Sequence, residues 1–339
     1  MRSTALALCF LMLATPLAGC FEMLPGGGDD SSDPEPLRIN HVQVLGTHNS
    51  YHIKPFGPTI RAYDYTHEPL DVQAEDFGVR QFELDVWWDP RGQLYVYHNQ
   101  YDFRSNCATF EECLTTLLTW SEANPEHVPL MIWVEPKEWV RSGTDSDAVL
   151  ELQEMLEKIE EEIAEWWPRE KTIAPDDVRG EAATLREAVT TIGWPLLEES
   201  RGKAMFILLA EGDVRDAYTE TFPGLNGSLM FTMNDEASET AAIYSETNPI
   251  GMGDEITRLV EEGYIVRSRA DNAEDGEADD NETARRDAAF AVGAHSISTD
   301  YPAPVDGIDY WVVVPGALVA CNPITAPPGC TAERVESLG

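Results

Sequence analysis

The chain has 339 residues, 43% of them hydrophobic, enough to bury one large single core. Its 61 acidic against 23 basic residues give a formal net charge of −38. That balance excludes nucleic acid as a partner, because phosphate contacts need a basic footprint, and it excludes electrostatic attraction to anionic membranes. A solvated surface suited to salty, strongly screening surroundings is the ordinary reason for such an excess.

At the N-terminus Arg2 precedes an apolar run from Ala5 to Leu13, and Leu17-Ala18-Gly19-Cys20 follows. The run is shorter than the ~20 residues that span a bilayer. It resembles a bacterial lipoprotein signal, in which residues 1–19 are removed and Cys20 becomes a lipidated N-terminus; an ordinary secretory signal is the alternative. Residues 20–36, rich in Gly, Ser, Pro and Asp, have almost nothing to bury and read as a flexible tether, which leaves 37–339 as the folded domain. The expected location is that of an exported bacterial lipoprotein, anchored to a membrane in the periplasm or on the cell surface. For an exported chain, the local pairs Cys107 with Cys113 and Cys321 with Cys330 suggest two disulfides, and neither has a zinc-site spacing.

Beyond the tether, short apolar segments alternate with helical stretches. Eight strands are expected, at 41–46, 81–87, 94–98, 130–135, 204–210, 229–233, 264–269 and 296–299. Helices are expected at 69–77, 110–122, 146–167, 213–221, 254–262 and 282–292. This count predicts an α/β fold, a single-domain (β/α)8 TIM barrel with its site at the carboxyl ends of the strands; a doubly wound open sheet is the alternative. The acidic stretch 271–281 lacks the alternating ligands and terminal Glu of a calcium loop and reads as a solvated loop.

On that frame the polar residues collect at strand ends. His48 and Asn49 follow the first strand, Glu83 and Asp85 share a face of the second, His98 ends the third, and Glu135 ends the fourth. Each alone has a plain structural explanation, but their coincidence at the ends of four successive strands points to a site. Adjacent carboxylates repel, and a divalent cation relieves the repulsion. Three carboxylates with the Asn49 carbonyl form an all-oxygen set that suits calcium, with magnesium second.

Gly46-Thr47-His48-Asn49-Ser50-Tyr51, Glu83-Leu84-Asp85-Val86, Tyr97-His98-Asn99 and Val134-Glu135 resemble the successive strand-end motifs of the phosphoinositide-specific phospholipase C superfamily, most closely its calcium-dependent bacterial branch. The segments from Gly263 to Asp271 and from Gly293 to Pro302 resemble its last two strands, so the similarity runs from about Asn40 to Pro302. The resemblance implies phosphatidylinositol as substrate and catalytic roles for His48 and His98. His48 would be the general base on the inositol 2-hydroxyl, and His98 the general acid or a hydrogen bond to the phosphoryl oxygens. Asn49, Glu83, Asp85 and Glu135 would hold Ca²⁺, and an inositol cyclic phosphate is the expected product.

Lys137, Arg267 and Arg269 are candidates for binding phosphate, with pairing of an arginine to Asp271 or Asp300 as the alternative. The lipid substrate and the anchoring membrane are the partners implied, and no feature implies a protein partner. Two rivals stand beside this reading. A glycerophosphodiester phosphodiesterase shares the barrel, the Glu-x-Asp pair and the second histidine, but carries arginine and glycine where this chain has Asn49 and Ser50. A non-catalytic lipid-binding surface lipoprotein would need no proton-transfer pair.

Overall fold

The strands form where apolar runs can be buried on both faces, and the helices where one apolar stripe recurs between charged residues. The computed structural model describes residues 34–89, 91–137, 146–273 and 275–336. Residues 1–33, which hold the expected signal, Cys20 and most of the tether, lie outside the described residues.

Among the described residues ten strands make one sheet: β1 (Val42–Thr47), β2 (Val79–Asp89), β3 (Gln93–Val96), β4 (Leu130–Lys137), β5 (Ala204–Leu208), β6 (Met230–Thr232), β7 (Ile243–Ser245), β8 (Ile265–Arg269), β9 (Ser296–Thr299) and β10 (Val319–Cys321). Eight of them run parallel in the order β6-β5-β4-β2-β1-β9-β8-β7. A parallel bridge between Met233 and Ile243 brings the outer strands together, so the barrel is nearly closed. Its central strands are continuous apolar runs; Leu130 to Val134 and Ala204 to Leu208 are buried throughout, as strands covered on both faces must be.

Two expectations about strands fail. Residues 94–98 do not supply a barrel strand, because β3 lies antiparallel on β2. Only residues 90–92 separate the two strands, and a parallel return needs a crossover of a dozen residues or more, so a hairpin is the sole connection that fits. The missing barrel strand is β7, only three residues long and with Ile243 its single fully buried member, too short and polar for a periodic signal. In addition, β10 caps the start of β1 antiparallel.

The outer helices follow the expected pattern. In Phe110–Ala123, Thr109 caps the first turn by accepting from the Glu112 amide at 3.2 Å, and Phe110, Cys113, Leu114, Leu117 and Trp120 bury one stripe. In Gly253–Glu261, Ile256, Leu259 and Val260 do the same. Both expected disulfides are present, Cys107–Cys113 and Cys321–Cys330. The first ties the chain that follows the hairpin to the helix behind it. The stretch after β8 is not simply a solvated loop: Asp271 and Glu277 are buried, and Arg285 lies 2.6 Å from Glu277 and 2.7 Å from Asp275. Among the described residues, no helix is long and apolar enough to cross a membrane.

Candidate active site

The loop that follows β1 is built to hold one imidazole against β2. Gly46 has no room for a side chain, since a Cβ there would stand 2.0 Å from Oε1 and 2.9 Å from Cβ of Gln81. Asn49 has φ of +45°, a left-handed conformation that asparagine tolerates better than most residues. The Ser50 amide donates to the Glu83 carbonyl at 3.0 Å, and the Glu83 amide donates back to Ser50 Oγ at 2.8 Å. These bonds set His48 beside the carboxylates of β2.

His48 is oriented from across the barrel. Its Nδ1 lies 2.7 Å from Asp300 Oδ1, just beyond β9, and its Nε2 lies 3.8 Å from Glu83 Oε1. Asp300 in turn meets Arg269, whose Nη2 is 3.1 Å from Oδ2. Burial alone would raise the Asp300 carboxyl, but His48 and Arg269 hold it well below the usual carboxylate range. An ionised Asp300 fixes Nδ1 as the protonated nitrogen and leaves Nε2 as the basic one.

His98 does not end a barrel strand. It sits beyond the β2–β3 hairpin, where the Tyr97 amide donates to the Asp85 carbonyl at 3.3 Å and so keeps this turn at the carboxyl end of β2. Its Nδ1 is 3.1 Å from Asp102 Oδ2, and Asn99 Nδ2 approaches the same nitrogen at 3.0 Å. Asp102 is shared with His52, whose Nε2 lies 2.9 Å from both carboxylate oxygens. Burial would raise the Asp102 carboxyl, but the bonds from His52 and His98 hold it lower than usual. The β1 loop, which carries His52, and the segment after β3, which carries His98, therefore meet at one buried carboxylate.

Glu83, Asp85 and Glu135 come together as a group whose ligand oxygens lie within 4.8 Å of one another. Glu83 and Asp85 project from one face of β2, and the register sets Asp85 opposite Glu135 on β4. A central ion with bonds of about 2.3–2.6 Å holds its ligands at just this spread. Asp85 is fully buried, with Lys137 Nζ 2.9 Å from its Oδ2. Burial, reinforced by Glu135, pushes its carboxyl well above the ordinary value. A buried carboxylate beside two more fits a hard divalent cation. Asn49 is linked to the group through Tyr51: its Oδ1 accepts from the Tyr51 hydroxyl at 3.2 Å, its Nδ2 lies 3.1 Å from the Tyr65 oxygen, and Asp85 helps to raise the Tyr51 hydroxyl after burial.

The three basic candidates are all engaged with carboxylates. Lys137 Nζ lies 2.9 Å from Asp85 Oδ2 and 2.5 Å from Glu135 Oε1. Arg267 is buried, bonds to Glu83, and lies 5.3 Å over the Trp133 ring. Burial would raise the Glu83 carboxyl, but Arg267, with His48, holds it below the ordinary value. Arg269 takes the alternative role of pairing with Asp300, and Asp271 stands 3.9 Å away. Sequence reasoning missed Asp102, which His98 shares with His52, and Asp300 as the partner of His48. Asp300 stands in a motif that resembles the last strand of the superfamily, so its position offered a signal; Asp102 offered none.

Barrels of this kind carry their chemistry at the carboxyl ends of the strands, and what gathers there is two imidazole–carboxylate pairs beside a carboxylate cluster. This defines the class as a barrel phosphodiesterase. The chain belongs to the family of Ca²⁺-dependent phosphoinositide phospholipases C, whose model matches residues 37–100 and 96–323. Two solved structures show the same fold at low identity. One is a calcium-dependent phosphoinositol-specific phospholipase C from Pseudomonas sp. in a myoinositol complex: 18% identity, 78% of this chain, 91% of that one, TM-score 0.57. The other is a Ca²⁺-dependent phosphatidylinositol-specific phospholipase C from Streptomyces antibioticus: 18% identity, 78% of this chain, 95% of that one, TM-score 0.56. No curated protein matches.

Proposed function

We propose that the protein is a calcium-dependent phospholipase C that cleaves phosphatidylinositol to diacylglycerol and an inositol 1,2-cyclic phosphate, which is hydrolysed further in whole or in part. The observation that carries this reading is the pair formed by His48 and Asp300, with the free Nε2 of His48 3.8 Å from the carboxylate group that begins at Glu83. His48 Nε2 takes the proton of the inositol 2-hydroxyl while Asp300 stabilises the imidazolium that forms. His98, held through Nδ1 by Asp102, presents Nε2 to the leaving oxygen of diacylglycerol or to the phosphoryl oxygens. Glu83, Asp85 and Glu135, with Asn49 as a neutral oxygen donor, would hold calcium, which supplies charge neutralisation at phosphorus and lowers the pKa of the attacking hydroxyl. Magnesium demands tighter octahedral geometry and is the poorer match to a flexible carboxylate set.

Product analysis tests the reading. Phosphatidylinositol incubated with the protein and calcium yields diacylglycerol and inositol phosphates, and excess chelator stops both. Consumption of glycerophosphoinositol alone would replace the reading with a glycerophosphodiesterase, and turnover of phosphatidylinositol in excess chelator would remove the metal from it.

The same reading sets the enzyme outside the cytoplasm on a lipid anchor at Cys20. The two disulfides support export, because such bridges persist in oxidising compartments. Replacing Cys20 by Ala should move the protein from the membrane to the soluble fraction; unchanged fractionation would refute the anchor.

A further inference from the structure

The carboxylate group already contains two cations of the chain itself, and they are held with different firmness. Arg267 is buried in mid-barrel, bonded to Glu83, with Nη2 3.2 Å from Ser298 Oγ and its plane near Trp133. Lys137 ends β4 on a flexible four-carbon stem, and its side chain is 20% exposed. Its Nζ stands 2.9 Å from Asp85 Oδ2 and 2.5 Å from Glu135 Oε1.

Those separations nearly match the bonds of about 2.3–2.6 Å that calcium makes to carboxylate oxygens. The ammonium thus holds a point between two of the three carboxylates that would bind an ion. An ammonium and a divalent cation cannot share that point, by volume or by charge. Asp85, buried beside Glu83 and Glu135, is stabilised as a carboxylate by a positive partner, whichever of the two is present.

We propose that Lys137 is the internal counter-ion of the metal site and that calcium binds by displacing its ammonium from Asp85 and Glu135. The inference rests on the reading of Glu83, Asp85 and Glu135 as calcium ligands. Displacement has two consequences. Apparent calcium affinity is reduced in proportion to the time the ammonium spends on the two carboxylates. The released ammonium, still tethered at the strand end, becomes free to meet the phosphodiester, so metal binding and the phosphate contact arrive together.

Calorimetric titration with calcium chloride of the wild-type protein, Lys137→Met and Lys137→Arg tests this. Lys137→Met should bind calcium about tenfold more tightly than wild type, whereas Lys137→Arg, which keeps the charge, should not. Cleavage of phosphatidylinositol by Lys137→Met at saturating calcium should show a raised KM, so the variant gains metal affinity while losing substrate affinity. If Lys137→Met does not fold without calcium, Lys137→Gln, similar in reach and polar, gives the same comparison. Equal or weaker calcium binding by the neutral variants would overturn the displacement while leaving the calcium site in place. A wild-type protein that binds no calcium would overturn the metal reading itself.

Discussion

Nδ1 of His48 stands 2.7 Å from Oδ1 of Asp300, although 252 positions separate the two residues along the chain. Replacing Asp300 by Asn keeps the size of the side chain but removes the charge that fixes the imidazole tautomer. Turnover of phosphatidylinositol should fall by about 10²–10⁴ with KM little changed. Steady-state kinetics check this, and a variant within about threefold of wild-type kcat would remove Asp300 from the base.

Asp102 serves two imidazoles, and the two effects of changing it separate by variant. Asp102→Asn loosens His98 and should lower kcat by about 10- to 100-fold. Asp102→Ala also strands Nε2 of the fully buried His52 and should lower stability by about 1–3 kcal/mol in urea unfolding. Full activity in Asp102→Asn would leave His98 without need of a positioning carboxylate.

His295 is buried where β1, β8 and β9 begin: its Nε2 lies 3.0 Å from the Asn40 carbonyl and its Nδ1 3.1 Å from the Val266 amide. Burial pushes its pKa down to about 4. Between pH ~6.5 and ~4 the unfolded chain therefore binds a proton that the native state refuses, so His295 makes stability fall as pH falls through that window. Asp271, pushed up to about 7 by burial and by Asp300, acts in the opposite sense, and the comparison must isolate one group. Wild-type protein should lose about 3 kcal/mol more than His295→Gln between pH 7 and pH 4. Parallel stability profiles would contradict the buried neutral imidazole.

Gly46→Ala tests the close approach of β1 and β2. The new Cβ meets the root of Gln81 as well as its tip, and the root cannot swing away. A loss of about 1–3 kcal/mol is expected, with reduced activity because the His48 loop leaves the same strand. Unchanged urea midpoints would show that the two strands have slack.

Much of this architecture is legible along the chain because it is periodic or local. Leu130 to Val134 is an unbroken apolar run, Glu83 and Asp85 are two apart and must share a face, and each cysteine pair closes a short loop. The hairpin of β2 and β3 is legible only from the gap between 81–87 and 94–98, six residues and too short for a parallel crossover, since 94–98 by its own pattern reads as a barrel strand. β7 is not, since three residues with one buried side chain carry no period.

Residue spacing and strand period therefore decided the barrel, the shared face of Glu83 and Asp85, and the two bridges. Only the nearly closed barrel decided the pairings: His48 with Asp300, His98 and His52 with Asp102, Glu83 with Arg267, and Lys137 with Asp85 and Glu135. The reason is physical. A backbone period depends on neighbours a few residues away, whereas an ion pair depends on which distant strands the sheet order sets side by side and on how deeply burial removes water from between them.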